Sequence, residues 1–387
     1  MFKHLRPVWA EINLDNLAFN MQQIRKFSKS KEVIGVVKAD AYGHGALDIA
    51  PVLLENGADK LAVAVVSEGI ELRRGGIDCP IIILGFTAPS LIPDLLKYDI
   101  EQTVFSYDYA KELSRIAEKK HKVARIHIAL DTGMGRIGFF PNEESVEEVY
   151  KISNLPNISV VGLFSHFSTA DEKDKEYTKY QLDKFNVFYD SLKEKGIDIK
   201  TRHIANSAAI IDLPETHFEA IRPGIILYGY YPSQEVDKTK IELRNVMELK
   251  TNIAHIKKVP SGYYISYGRK FKSCKESIIA TLPVGYADGY TRSLFNKGKV
   301  MLKDQFAPIV GNICMDQCMV DISDISSQVK VGDEVVLIGK MNKIKFDADD
   351  IAEIIDTINY EVVCAISKRV PRVYIKDGEV VKIRNYV

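Results

Sequence analysis

Between residues 32 and 228 the chain repeats one pattern: a short apolar, β-branched run, then a longer stretch with apolar positions at helical spacing. The runs are VIGVV (33–37), LAVAVV (61–66), IIIL (81–84), QTVFS (102–106), RIHIAL (125–130), SVVGLF (159–164), RHIA (202–205) and FEAIR (218–222). Helical patterns such as 108–120 and 177–192 lie between them. Strands that are apolar throughout are buried on both faces, as in a parallel sheet covered by helices. Eight such units in about 200 residues fit a closed, TIM-like (β/α)8 barrel better than an open sheet.

The pattern changes after the polar segment 230–240. Beyond it short alternating strands and turns follow, interrupted by one helix with Ile351, Ile354, Ile355 and Ile358 on one face and an acidic first turn, DADD (347–350). An acidic first turn favours the positive end of the helix dipole. The expected fold class is therefore α/β: an N-terminal (β/α)8 barrel over 1–238, followed by a mostly β C-terminal domain over 239–387. The first few residues are expected to pack with the second domain.

Composition narrows the function classes. The 387 residues are 46% hydrophobic and 27% charged, an ordinary globular mixture. Fifty-two basic residues balance 52 acidic ones, so no global field exists to hold nucleic acid or an anionic membrane. The longest apolar runs, 61–66 and 80–86, are far short of a membrane span. The first residues carry Glu11 and Asp15 and no signal-peptide core. Five cysteines read as reduced thiols rather than a disulfide framework. Together these give the expectation of a cytoplasmic protein with no nucleic-acid or membrane partner. No metal is expected either, because the eight histidines include no H-E-x-x-H pair and Cys314 with Cys318 is too loose for zinc.

The stretch most suggestive of chemistry is VVKADAYGHGA (36–46). A lysine there ends an apolar strand, and in a barrel that end opens into the active-site mouth. Partly desolvated, such a lysine can act as an amine nucleophile or base, although a lysine at a strand end is ordinarily just a surface charge. The wording decides. VVKADAYGHG closely resembles the cofactor-attachment segment of alanine racemases of the barrel-fold, pyridoxal-phosphate-dependent family. Further resemblances follow in order: DTGMGRIG (131–138), SHFSTAD (165–171), HIANSAA (203–209), RPGIILYG (222–229), SYGRKF (266–271), LPVGYADGY (282–290), GNICMDQ (311–317) and INYEVVCAISKRVPR (358–372). They span essentially the whole chain.

The resemblance implies pyridoxal 5'-phosphate as cofactor and a two-base racemisation of L- and D-alanine that supplies D-alanine for peptidoglycan. It implies Lys38 as the cofactor's anchor and one base, and Tyr267 as the base on the opposite face. An unperturbed phenol has a pKa near 10, so Tyr267 needs an environment that favours proton transfer. His166 would contact Tyr267, and Arg222 would face the pyridine nitrogen. As an arginine it can donate a hydrogen bond there but cannot readily protonate it. Tyr42, Ser207 and Tyr360 would offer hydroxyls to the phosphate, with the amides of Gly224 and Ile225, and Asn206 would join the cofactor site. Arg136, Met315, Asp316 and Tyr286 would line the amino-acid substrate. The family's arrangement also implies a homodimer with composite sites, Tyr267 reaching over the partner's barrel.

One position departs from the family. Where a carbamylated lysine commonly steadies the substrate arginine, this chain has Ala129, so either a small anion such as chloride or a nearby carboxylate is expected beside Arg136, or Arg136 is oriented differently. Three other readings compete. A cofactor-carrier protein would lack the second domain, and barrel-fold decarboxylases place a cysteine differently from NICMDQ. A serine or broad-specificity racemase of the same family stays open.

Overall fold

The computed structural model describes residues 6–386. These divide into two compact units, one built from Leu17–Ala41 with Gly45–Arg244, the other from residues 6–16, 42–44 and 245–386. Counting strands from β1 (Val8–Asn13), which belongs to the second unit, the first unit holds β2 (Glu32–Val36), β3 (Lys60–Val63), β4 (Ile81–Ile83), β5 (Glu101–Val104), β6 (Ala124–Ala129), β7 (Ile158–Phe164), β8 (Thr201–His203) and β9 (Ala220–Ile221). All pair in parallel, in the spatial order β8-β7-β6-β5-β4-β3-β2-β9, with helices between them. The result is a nearly closed eight-stranded barrel. At the seam between β8 and β9 the Arg222 N–H donates to the Ala205 carbonyl at 3.0 Å.

Several strands are shorter than their apolar runs. LAVAVV is extended only to Val63, because the Glu68 carboxylate accepts the Ala64 N–H at 2.8 Å and helix Val66–Arg74 begins at once. FEAIR yields only Ala220–Ile221. The barrel wall is apolar as expected, with Ile34, Ile81–Ile83, Ile126 and Ile128 fully buried. Its interior is not wholly so: Glu101, Thr103, His127 and His203 are buried as well.

In the second unit β1 is central. It pairs antiparallel with β10 (Met247–Asn252) and parallel with Arg372–Lys376. That sheet also takes in residues 299–308, 334–346 and 379–384, and a second, three-stranded sheet joins His255–Val259, Ser277–Leu282 and Cys318–Asp321. For residues 1–5 the expectation of packing with the second domain lies outside the described chain. The helix read at 347–358 is split in two. Asp347 caps Ala348–Ile355 by accepting the Asp349 N–H at 3.0 Å, and Asp350 returns to the Asp347 N–H at 2.8 Å. Asp356 then turns left-handed (φ 58°), ending the helix, so Ile358 is not on its face but precedes a second helix, Asn359–Ala365.

A buried arginine ties this unit together. Arg372 donates to four carbonyls: Gly43 at 2.9 Å, Ser367 and Ile366 at 2.7 Å, and Val370 at 2.5 Å. Arg372→Leu strands all of these acceptors in an apolar setting. The expected loss is about 3 kcal/mol or more, read as a lower urea midpoint at unchanged slope.

Candidate active site

After β2 the backbone makes a feature that the sequence did not announce. Ala39, Asp40, Ala41 and Tyr42 are four successive left-handed residues, with φ between 52° and 55°. Each such L-residue costs about 1–2 kcal/mol, so the turn must be held by its neighbours. Asp40 does much of the holding: its side chain accepts the Ala46 N–H at 2.8 Å and its carbonyl the Gly45 N–H at 2.9 Å. The Glu68 carboxylate accepts the Ala39 N–H. Lys38, half-buried, stands at the start of this held turn.

Lys38, Arg136 and Arg222 all bear on one imidazole. Burial first, then Arg222, Arg136 and Lys38, push His166 down to about 3, so it is neutral at ordinary pH. Arg222 is itself buried, and burial with the nearby Arg136 pulls its guanidinium down to about 9. It stays charged at neutral pH. Its Nη2 donates to the Ser165 carbonyl at 2.8 Å and to His166 Nδ1 at 3.2 Å, and its Nη1 to His203 Nδ1 at 2.9 Å. Its Nε–H has no acceptor among the described residues. Arg136, by contrast, is exposed in the single chain.

These histidines make the barrel acid-sensitive. His166 and the fully buried His203 both bind a proton far less readily than in an unfolded chain, His203 because of burial and then Arg222. Unfolding therefore takes up protons, and stability falls as pH drops below about 6.5. We expect urea midpoints to decline from about pH 7 to about pH 5, with a shallower decline in His166→Gln. An equal slope in that variant would mean His166 is not a source.

The residues expected to take the phosphate are arranged partly differently from that expectation. Asn206 caps helix Ser207–Asp212, its side chain accepting the Ala209 N–H at 3.1 Å. The Gly224 amide does not point to open space: it donates to the Ser207 hydroxyl oxygen at 2.9 Å. That bond orients Ser207 and leaves its own proton to give. Ile225 follows at the start of a buried turn, Ile225–Tyr228.

The remaining expected residues lie in the second unit. The rings of Tyr42 and Tyr360 are 6.1 Å apart, and burial followed by Cys364 pushes the Tyr42 phenol up, keeping it a hydroxyl donor. Tyr267 opens a short turn and is 71% exposed. Asn312 holds it from behind by donating to the Tyr267 carbonyl at 2.7 Å. Tyr286 and Met315 belong to touching segments. The Tyr286 N–H donates to the Cys314 carbonyl at 3.1 Å and the Ala287 N–H to the Met315 carbonyl at 3.0 Å. A Cβ on Gly285 would sit 2.3 Å from both carbonyls, so only glycine allows this approach. Asp316 is ion-paired to Arg369 at 2.7 Å, a partner not singled out from the sequence although it lies in the SKRVPR segment. All five cysteines are free thiols. Among the described residues no group of three metal-ligating side chains forms, and no helix is long and apolar enough to cross a membrane.

Comparison with known proteins gives a consistent result. Residues 12–232 match the family described as alanine racemase, N-terminal domain, and 246–374 the alanine racemase C-terminal domain. A Clostridium novyi alanine racemase is 73% identical over the full length of both chains. The solved alanine racemase of Clostridium difficile 630 is 47% identical, with a TM-score of 0.96 and complete coverage of both chains. A complex of that protein with cycloserine gives 46% and 0.93, again with complete coverage.

Proposed function

The chain belongs to the alanine racemase family and is an amino-acid racemase, and from that premise we propose that it interconverts L- and D-alanine with pyridoxal 5'-phosphate as cofactor. The observation that carries this reading is the buried Arg222, whose Nη2 lies 3.2 Å from His166 Nδ1, with Lys38 and Arg136 near enough to the same imidazole to act on its charge. That set is rich in positive charge and suits a ligand bringing a phosphate, a phenolic oxygen and a substrate carboxylate. When bound, the cofactor supplies the electron sink that makes the substrate's Cα–H acidic enough to remove.

The chain's own residues supply the rest. Lys38 would hold the cofactor through its amine and, once freed by substrate, act as the base on one face of Cα. Arg222 would offer its unengaged Nε–H to the pyridine nitrogen, donating a hydrogen bond without giving up the proton. The hydroxyls of Tyr42, Ser207 and Tyr360 and the Ile225 amide would take the phosphate, beside Asn206 and Gly224. Arg136 would grip the carboxylate, with Met315, Asp316 and Tyr286 shaping the substrate's surroundings.

Tyr267 would be the base on the opposite face, delivered by the partner of a homodimer. Because Arg222 donates to His166 Nδ1, the neutral imidazole carries its proton on Nε2. Such a donor beside the Tyr267 oxygen would favour the phenolate. A cytoplasmic enzyme of this kind would supply D-alanine to peptidoglycan.

The test is a mixing experiment. Lys38→Ala and Tyr267→Phe chains are each expected to be inactive, yet a mixed dimer has one site with both lesions and one with neither. After subunit exchange, recovery of about a quarter of wild-type activity follows from random pairing. No recovery after verified exchange means that each chain builds its own site.

A further inference from the structure

The barrel interior contains a line of polar side chains, all but the last of which the reaction outlined above does not use. It starts at Glu101, the first residue of β5. The Glu101 carboxylate faces His127 Nε2 at 2.9 Å, His127 Nδ1 faces His203 Nε2 at 2.9 Å, and His203 Nδ1 faces Arg222 Nη1 at 2.9 Å. Glu101, His127, His203 and Arg222 are each at most 4% exposed. The line thus crosses the barrel from the beginning of a strand to the segment after β9.

Its proton order can be deduced from one end. Arg222 has only N–H donors, so His203 Nδ1 must be bare and Nε2 must carry the proton. His127 Nδ1 must then accept, so His127 Nε2 carries its proton toward Glu101. Every donor points the same way, and the line needs an acceptor at its end that never donates. An ionised carboxylate is such a group. His127 and Lys60 hold Glu101 below the usual carboxylate range against the burial that opposes them, and Arg125 adds a hydrogen bond from Nε at 3.1 Å. At the other end Arg222 has no carboxylate partner among the described residues. A buried cation without a counter-charge is costly, and Glu101 supplies that charge through two imidazoles.

The backbone is adapted to the line. The pairing of β6 with β7 shifts register between Ile126 and His127, so that Gly162 rather than Val161 lies opposite His127. A Cβ on Gly162 would stand 2.1 Å from His127 Nδ1. The bulge and the missing side chain together make the space through which the imidazole reaches His203. The face of His203 is stacked on Phe164, with centroids 5.1 Å apart and planes 8° from parallel, which fixes its ring orientation.

We propose that Glu101, His127 and His203 form a positioning relay that fixes the tautomers across the barrel and so holds Arg222 charged and oriented for the ring it faces. The consequence for catalysis rests on the reading of Arg222 as the partner of the cofactor's pyridine nitrogen. The tautomer order does not.

The test uses the holoenzyme with 15N-labelled histidine, reading which ring nitrogens carry protons, alongside kcat and KM. In the wild type, His127 and His203 should both be neutral with the proton on Nε2. Glu101→Gln removes the charge while keeping the shape, and its amide can also donate, so the expected result is a mixed or reversed tautomer at both histidines. Mutating the hydrogen-bond partners that orient metal ligands typically costs about 10- to 100-fold, and a loss of that order is expected here in kcat with KM little changed. Gly162→Ala keeps every titratable group but displaces His127, and should give the same His203 change. Unaltered histidine signals and kcat in Glu101→Gln overturn the relay, as does a wild-type His203 protonated on Nδ1. A wild-type protein that shows the Nε2 pattern but binds no cofactor would instead count against the proposed function, leaving the relay standing.

Discussion

Lys38→Ala is expected to lose alanine racemisation by about four orders of magnitude or more, since on the proposed reading one amine would both anchor the cofactor and serve as a base. The fold should survive, because Lys38 is half-buried at the start of the 39–42 turn and bonds to Asp40, Glu68 and Val37 remain to hold that turn. A stable, inactive variant whose cofactor washes away on dialysis is the expected product. Its unfolding midpoint should lie close to that of the wild-type protein. Circular dichroism and absorbance before and after dialysis separate this outcome from simple misfolding. A variant that keeps full activity and a tightly held visible chromophore would end the assignment of Lys38.

Tyr267→Phe should cost about 10²–10⁴ in kcat, the ordinary range for removing a positioned proton-transfer group. Cofactor attachment should be unchanged, because Lys38 is intact. Stability should also hold, since the ring is 71% exposed and its hydroxyl supports no hydrogen bond among the described residues. The loop's own anchor is the backbone, through the Asn312 side chain on the Tyr267 carbonyl. For that reason Asn312→Ala should also lower kcat while the phenol itself is retained, a loss of placement rather than of chemistry. Loss of cofactor or gross unfolding in Tyr267→Phe would mean that the tyrosine has a structural task instead.

How much of this was readable in advance depends on which physical signal each feature leaves. Apolar, β-branched runs at regular intervals made the barrel legible, because strands buried on both faces have no room for alternation. Strand ends were less so: a run such as LAVAVV does not reveal that Glu68 will cap the next helix after Val63. The second helix at Asn359–Ala365 was obscured because Ile358 continues the spacing of Ile351 and Ile355 by accident, across a left-handed Asp356. Among candidate site residues, the strand-end Lys38 was legible as chemistry mainly through the wording around it. The left-handed turn after it was not, as Ala39 and Ala41 are ordinary helix formers with no preference for positive φ. Asp316 is a candidate from the sequence but its ion-pair partner Arg369 is not, for ion pairs distant in sequence leave no local mark. Glu101, His127 and His203 left a weak one: they sit in short strands that carry other polar residues too (EQTV, ARIHIA and TRH), and a buried polar group must find a partner. Which partner it finds depends on barrel closure and on the bulge opposite His127.

The central claim is that two different bases work on the two faces of the alanine Cα. It is tested most directly by following the Cα proton in heavy water with Tyr267→Phe holoenzyme, starting separately from L- and D-alanine. With Lys38 left as the sole base, one enantiomer should exchange its Cα–H for deuterium well before it inverts. The other should do neither at a comparable rate. If both enantiomers instead exchange at the same reduced rate, and exchange keeps step with inversion, a single base serves both faces and the two-base account is wrong.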